Sequence, residues 1–226
     1  MFDGNWREAV NKGLDPMGAS LRRAGVTADA LTVAGIVIAA IGSVVIGNGY
    51  LTLGFVFLVL TGIPDALDGA VAKASGTSSV RGAFFDSVSD RITDALLFGG
   101  IAWYLMSNEP GRIAMLPVAV MAAAMLISYQ RAKAESLGFD AKGGIMERAE
   151  RFIVLAFGLL FSQILIPVLW VMLVLTLVTA VQRFVKVWRQ ATNVSPQLQA
   201  RRTQRRRRRV RAEARGRRQL SRRRPR

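Results

Sequence analysis

Cysteine and histidine are both absent from the 226 residues, and the two gaps remove much of the common catalytic repertoire. Without cysteine there is no disulfide, thiolate metal site or thiol nucleophile. Without histidine, a general base has to be a carboxylate, a lysine or a tyrosine, and a metal site has to be built from oxygen donors, which suit Mg²⁺, Mn²⁺ or Ca²⁺ better than Zn²⁺. Acids are scarce as well: 15 Asp and Glu stand against 31 Lys and Arg, for a net charge of +16. The excess is local. Residues 1–200 hold 16 basic and 14 acidic side chains, whereas residues 201–226 hold 15 Arg and the single Glu213.

With 51% hydrophobic residues, the chain has to segregate its apolar stretches from its charge, and it does so as a membrane protein would. Crossing a bilayer takes about 20 apolar residues in a helix. Six runs qualify in the sequence: Ala28 to Ile46, Leu51 to Ala72, Gly82 to Met106, Arg112 to Lys133, Glu150 to Ile166 and Pro167 to Trp188. The connections alternate in charge. Arg7, Lys12, Arg22 and Arg23 precede the first run, Lys73 and Arg81 follow the second, and Arg131, Lys133, Lys142, Arg148 and Arg151 lie between the fourth and fifth. The other connections carry Arg112 as their only basic residue. The positive-inside rule then predicts an all-α integral membrane protein of the cell membrane, with six transmembrane helices and both termini in the cytoplasm.

Three regions follow. Residues 1–24 form a juxtamembrane amphipathic segment in which Trp6, Val10, Leu14, Met17 and Leu21 recur every three or four positions, the pattern of an interfacial helix. Residues 25–190 form the six-helix domain. Residues 191–226 form a disordered basic tail, too poor in apolar side chains to fold alone and suited to anionic membrane lipids. No cleavable leader is expected, because Asp3, Glu8, Asp15 and Asp29 precede the first apolar run.

Five acids interrupt the apolar runs: Asp65 and Asp68 in the second, Asp86, Asp90 and Asp94 in the third. Each costs at least ~2.5 kcal/mol by insertion scales, so intramembrane acids mark function by default. Spacings of three and four put each set on one helical face, where mutual repulsion has to be relieved by cations. Few lie near in sequence, namely Lys73, Arg81 and Arg91. Divalent ions held between two facing helices, as in two-metal phosphoryl-transfer sites, would balance the charge. Gly69, directly after Asp68, leaves room for a substrate to approach.

The run Asp65-Ala-Leu-Asp68-Gly69-Ala-Val-Ala72-Lys73, continued by Gly82, Asp86 and Asp90, resembles the signature of the CDP-alcohol phosphotransferase family. Lys73 departs from the family's usual Arg at its position. The resemblance implies a six-helix membrane homodimer that displaces CMP from a CDP-linked lipid or alcohol. It implies that Asp65, Asp68, Asp86 and Asp90 hold Mg²⁺ or Mn²⁺, two ions per site, and that Asp90 is also the proton acceptor. Gly69, Lys73 and Ser79 would contact the CDP moiety, and Asp29, Ala30, Leu31 and Thr32, in a segment similar to the one that opens the family's first helix, would line the nucleotide site.

Downstream, Ser128-Tyr-Gln-Arg131-Ala-Lys133-Ala-Glu135, then Gly143 to Arg151 and Val181-Gln-Arg183, resemble the actinobacterial phosphatidylinositol phosphate synthases. That resemblance implies CDP-diacylglycerol as donor and inositol phosphate as acceptor. The acceptor phosphate would then be bound by Ser128, Arg131, Arg151 and Arg183, with Lys133 and Arg148 beside them. Convergent guanidinium groups suit a phosphate on charge alone. Two alternatives stand beside this reading. One is phosphatidylglycerophosphate synthesis with glycerol phosphate as acceptor. The other is an ion or proton transporter, against which the lack of a repeated copy of the acid motif counts. A nucleic-acid role has only the basic tail in its favour.

Overall fold

The computed structural model describes residues 16–18, 20–75 and 79–192, with the side chains of 69 and 73–75 left out. Within these residues every regular element is helical. Of the juxtamembrane segment, 16–18 and 20–23 are helical, and its first fifteen residues, like 193–226 of the basic tail, lie outside the described residues, while 191 and 192, expected in the disordered tail, are helical. The main elements are α1 (Ala28–Gly47), α2 (Leu51–Ser75), α3 (Val80–Asn108), α4 (Met115–Ser136), α5 (Arg148–Leu160), a 3₁₀ turn (Ser162–Ile164) and α6 over residues 165–192.

Side chains at the helix ends explain where two of these begin. Thr27 caps α1 by accepting a hydrogen bond from the Ala30 amide at 3.2 Å, and Ser79 caps α3 through the Gly82 amide at 3.0 Å. The last two apolar runs meet at Pro167 in the sequence, but the chain breaks at Phe161 to Ile164, over the uncharged connection at Phe161 to Gln163, and Pro167 falls in the first turn of α6. There its missing amide hydrogen would have had no helical partner anyway.

Among the described residues, four stretches are long and apolar enough to cross a membrane: Ala28–Gly47, Leu51–Ala72, Met115–Ser136 and Ser162–Thr192. Helix α3 spans 29 residues but carries three aspartates, and α5 has only 13 residues. The outer surfaces are apolar. On α1, Val33, Val37, Ile41 and Val44 are exposed in one stripe, and on α6 so are Trp170, Val174, Leu177, Val181 and Phe184. Outward stripes of this kind suit a hydrocarbon solvent.

The inward face of α1 is made of small residues instead, Gly35, Ala39, Gly42 and Gly47 together with Ile46. Small side chains let backbones approach closely where lipid removes the hydrophobic drive for helix association. A Cβ on Gly42 would stand 2.8 Å from the Phe57 Cβ of α2, and one on Gly100 of α3 would stand 2.8 Å from the Ser43 Cα of α1. Thus α1 packs on both α2 and α3, α3 also packs on α4, and α2 packs on α5. Leu58, Leu97, Ile101, Leu105, Leu159, Leu169 and Met172 fill the common core.

The connection between α4 and α5 is strapped to α6. Lys186 Nζ donates to Asp140 Oδ2 and to the Lys142 carbonyl, both at 2.8 Å. Gln190 accepts from the Asp140 amide at 3.0 Å and donates to its carbonyl at 2.6 Å. The Lys186 hydrogen bond, aided by the Lys142 amide, holds the Asp140 carboxyl below its usual range. At Gly144, with φ of 141°, a side chain would run into Thr179 of α6. The adjoining Met146 amide donates to Thr179 Oγ1 at 3.0 Å. These contacts fix the approach of the chain to Arg148, the first residue of α5.

Candidate active site

Asp65 follows the intrahelical Pro64 of α2. Proline supplies no amide hydrogen to the ladder, so one helical hydrogen bond is missing just where the acids begin. Facing them, α3 presents Asp86, Asp90 and Asp94 on successive turns. One carboxylate oxygen each from Asp65, Asp86 and Asp90 lies within 4.8 Å of the others, close enough to share one cation. Asp68 Oδ2 accepts a hydrogen bond from Thr32 Oγ1 at 3.0 Å, which ties the start of α1 to the acids. Thr61, Ser89 and Thr93 complete the wall of a small cleft. A donor set made of carboxylates and hydroxyls matches hard divalent cations of the Mg²⁺ or Mn²⁺ kind.

The positive charge that the acids need comes from α5. Arg148 Nη1 lies 2.7 Å from each oxygen of Asp65 and 2.8 Å from Asp90 Oδ1. One turn on, Arg151 Nη2 donates to Asp94 Oδ2 at 3.0 Å, and only 4% of either side chain is exposed. Arg91 adds a weaker contact to Asp90 at 3.3 Å. Neither α5 arginine is among the cations near the acids in sequence. Arg148 lies 83 positions from Asp65, and Arg151 lies 57 from Asp94.

The other basic candidates divide into two places. Arg183 is almost wholly buried and donates to the Gly143 and Ile127 carbonyls, both at 3.0 Å, and to Glu147 Oε1 at 2.9 Å. Those bonds use three of its five N–H groups and leave two for a ligand. Arg131 pairs with Glu135 along α4 at 3.0 Å, and Lys133 is exposed in the same last turns. The Ser128 hydroxyl donates to the Ala124 carbonyl at 2.8 Å.

Of the candidate nucleotide contacts, Asp29 pairs with Arg81 at 2.8 Å in an exposed bridge between the starts of α1 and α3. Ala30 and Leu31 occupy the first turn of α1 next to it. Ser79 serves as the α3 cap. Gly69 and Lys73 lie on α2 beyond Asp68, their side-chain environment outside the described residues. Two partners were given no role from sequence: Asp94, counted there only as one of the five acids that mark function, and Glu147. The regular four-residue step from Asp86 through Asp90 to Asp94 was the available signal for the first. An acid directly before the Arg148 cluster was the signal for the second.

Comparison with known proteins fits this geometry. Residues 25–189 match the model of the CDP-alcohol phosphatidyltransferase family. A phosphatidylinositol phosphate synthase of Mycobacteroides abscessus is 33% identical over 185 residues, which cover 78% of this chain and 84% of the relative. Among solved structures, the phosphatidylinositol phosphate synthase of Mycobacterium tuberculosis with CDP-DAG bound superposes with a TM-score of 0.71 at 30% identity, covering 77% of this chain and 93% of that one. The same Mycobacterium tuberculosis enzyme in complex with manganese and citrate gives 0.73 at 30% identity, over 77% and 88% of the two chains.

Proposed function

Because the chain belongs to the CDP-alcohol phosphatidyltransferase family, and is therefore an enzyme of that activity, we propose that it transfers the phosphatidyl group of CDP-diacylglycerol to inositol phosphate, giving phosphatidylinositol phosphate and CMP. The observation that carries this reading is the convergence of Asp65, Asp86 and Asp90 within 4.8 Å beside guanidinium groups from α5. Acids alone would repel both phosphorylated substrates, and arginines alone would hold them without chemistry. The names of the similar synthases support the choice of acceptor.

In this mechanism Thr32 and the first turn of α1, with Gly69, Lys73 and Ser79, hold the cytidine diphosphate end of the donor. Arg131, Arg151 and Arg183, assisted by Ser128 and Lys133, hold the acceptor phosphate, so that an inositol hydroxyl faces the lipid-side phosphorus in line with the bond to CMP. Asp90 takes the hydroxyl proton as the new O–P bond forms, and the bond to CMP breaks on the opposite side. Asp65, Asp68, Asp86 and Asp90 would hold two Mg²⁺ or Mn²⁺ ions, which neutralise the diphosphate and stabilise the leaving CMP. The reading includes six spans, with α3 and α5 crossing as well as the four apolar stretches. The site and both termini face the cytoplasm, and the enzyme assembles as a homodimer. The basic tail lies against anionic lipid.

The test is CMP release by the purified enzyme in detergent with CDP-diacylglycerol, Mn²⁺ and one acceptor at a time. Inositol phosphate is expected to support turnover at least about ten-fold better than glycerol phosphate, a difference of about 1.4 kcal/mol in transition-state binding. Preference for glycerol phosphate would replace the acceptor and leave the family chemistry standing.

A further inference from the structure

The carboxylates that would hold the metals have a rival cation within the chain. A single nitrogen, Arg148 Nη1, makes short contacts to both Asp65 oxygens and to Asp90. It is placed as a point charge among acids whose oxygens converge within 4.8 Å. An arginine built to stay on a carboxylate presents two nitrogens as a fork, and this one does not. Its Nε is buried and lacks a hydrogen-bond partner among the described residues. The Asp94 carboxylate stands 4.0 Å from that Nε and is already held by Arg151. The guanidinium has a second hold besides the acids, since its carbon lies 5.1 Å from the centroid of the Phe152 ring, one turn along α5.

We propose that Arg148 is a positioning residue that balances the acids while no divalent ion is bound, that the ion loads by displacing it, and that the released guanidinium then faces the acceptor phosphate. The idea rests on the metal-carboxylate reading above and is independent of which phosphorylated alcohol reacts. The guanidinium and an ion compete for the same oxygens of Asp65 and Asp90, so the free energy of the Arg148 contacts is subtracted from the apparent affinity for the ion. Metal loading and acceptor binding are thereby linked through one side chain.

The experiment measures Mn²⁺ binding to the full-length protein in detergent, from the spectroscopic signal of free Mn²⁺ and without substrates, for the wild type, Arg148→Gln and Arg148→Lys. Arg148→Gln is expected to bind Mn²⁺ about ten-fold more tightly, to melt below the wild type in chelator and to gain more in melting temperature on adding Mn²⁺. Arg148→Lys should bind more tightly than the wild type by a smaller factor, because its ammonium still competes but lacks the reach of a guanidinium. The KM for the phosphorylated acceptor should rise in both, opposite in direction to the Mn²⁺ constant, a pairing that a purely structural role would not produce. Unchanged or weaker Mn²⁺ binding in the variants, with normal binding by the wild type, overturns the displacement while leaving the metal reading intact. Failure of all three proteins to bind Mn²⁺ overturns both. Should the Gln variant not fold, Arg148→Lys decides alone.

Discussion

Asp94 and Arg151 form the most deeply buried ion pair in the described residues, at 3.0 Å with 4% of each side chain exposed. Such a pair is a poor source of net stability but a severe loss when broken, because the survivor is an uncompensated charge that costs about 3 to 5 kcal/mol. Asp94→Asn is therefore expected to lower the melting temperature in detergent sharply. The double variant Asp94→Leu with Arg151→Met should recover much of that loss and yet fail to turn over, because Arg151 is assigned to the acceptor phosphate. Thermal unfolding and CMP release on the same three preparations check this, and a double variant that turns over at the wild-type rate would remove Arg151 from the acceptor site. The acids of the site were legible in the sequence because their cost inside an apolar run sets them apart. The roles of the arginines were not. An arginine that anchors a helix end, one that straps a loop as Arg183 does, and one that pairs with an acid as Arg148 does look alike in a string of residues. Only the fold, which brings Arg148 across 83 positions to Asp65, tells them apart.

Helix packing makes opposite predictions for two adjacent glycines of α3. Gly99 is exposed and has no atom within 4 Å of where a Cβ would sit, whereas a Cβ on Gly100 would meet Ser43 of α1 at 2.8 Å from Cα and 2.9 Å from Oγ. Gly99→Ala should leave the melting temperature unchanged or raise it slightly, since alanine is the better helix former by about 1 kcal/mol. Gly100→Ala has to push α1 away from α3 or strain the backbone, at a cost of about 1 to 3 kcal/mol, and should melt lower. Equal melting of the two variants would mean that α1 and α3 do not approach this closely. The helices themselves were readable as apolar runs, since uninterrupted hydropathy extends over most of α1, α2, α4 and α6. Hydropathy alone does not mark the end of α5, because it continues through the 3₁₀ turn at Ser162–Ile164. The proline that marks a boundary in the sequence pattern sits harmlessly inside the next helix. Close packing of a neighbouring helix against a glycine leaves no hydropathic trace either.

At the scale of the whole molecule, the basic residues and the site share one end. Arg148 reaches the acids from the same side as Arg131, Lys133, Lys142, Lys186 and Arg189, while the connection at 48–50 has no charged residue and that at 109–114 has only Glu109 and Arg112. If basic connections are retained in the cytoplasm, both water-soluble reactants meet the site there. The absence of cysteine makes this orientation directly measurable, because any thiol introduced is the only one in the chain. Ser107, in the last turn of α3, and Ser136, the last residue of α4, are both exposed, and each hydroxyl only donates to a carbonyl of its own helix, at 3.1 and 2.8 Å. Replacing either with cysteine removes one exposed hydrogen bond and should leave CMP release close to the wild type. In intact cells a membrane-impermeant maleimide is expected to label Ser107→Cys and to spare Ser136→Cys until the membrane is permeabilised. The reverse pattern would place the carboxylates outside, where cytoplasmic substrates do not reach them. Labelling of both from outside would mean that α4 does not cross, and the six-span reading would fall even if the chemistry of the site stood.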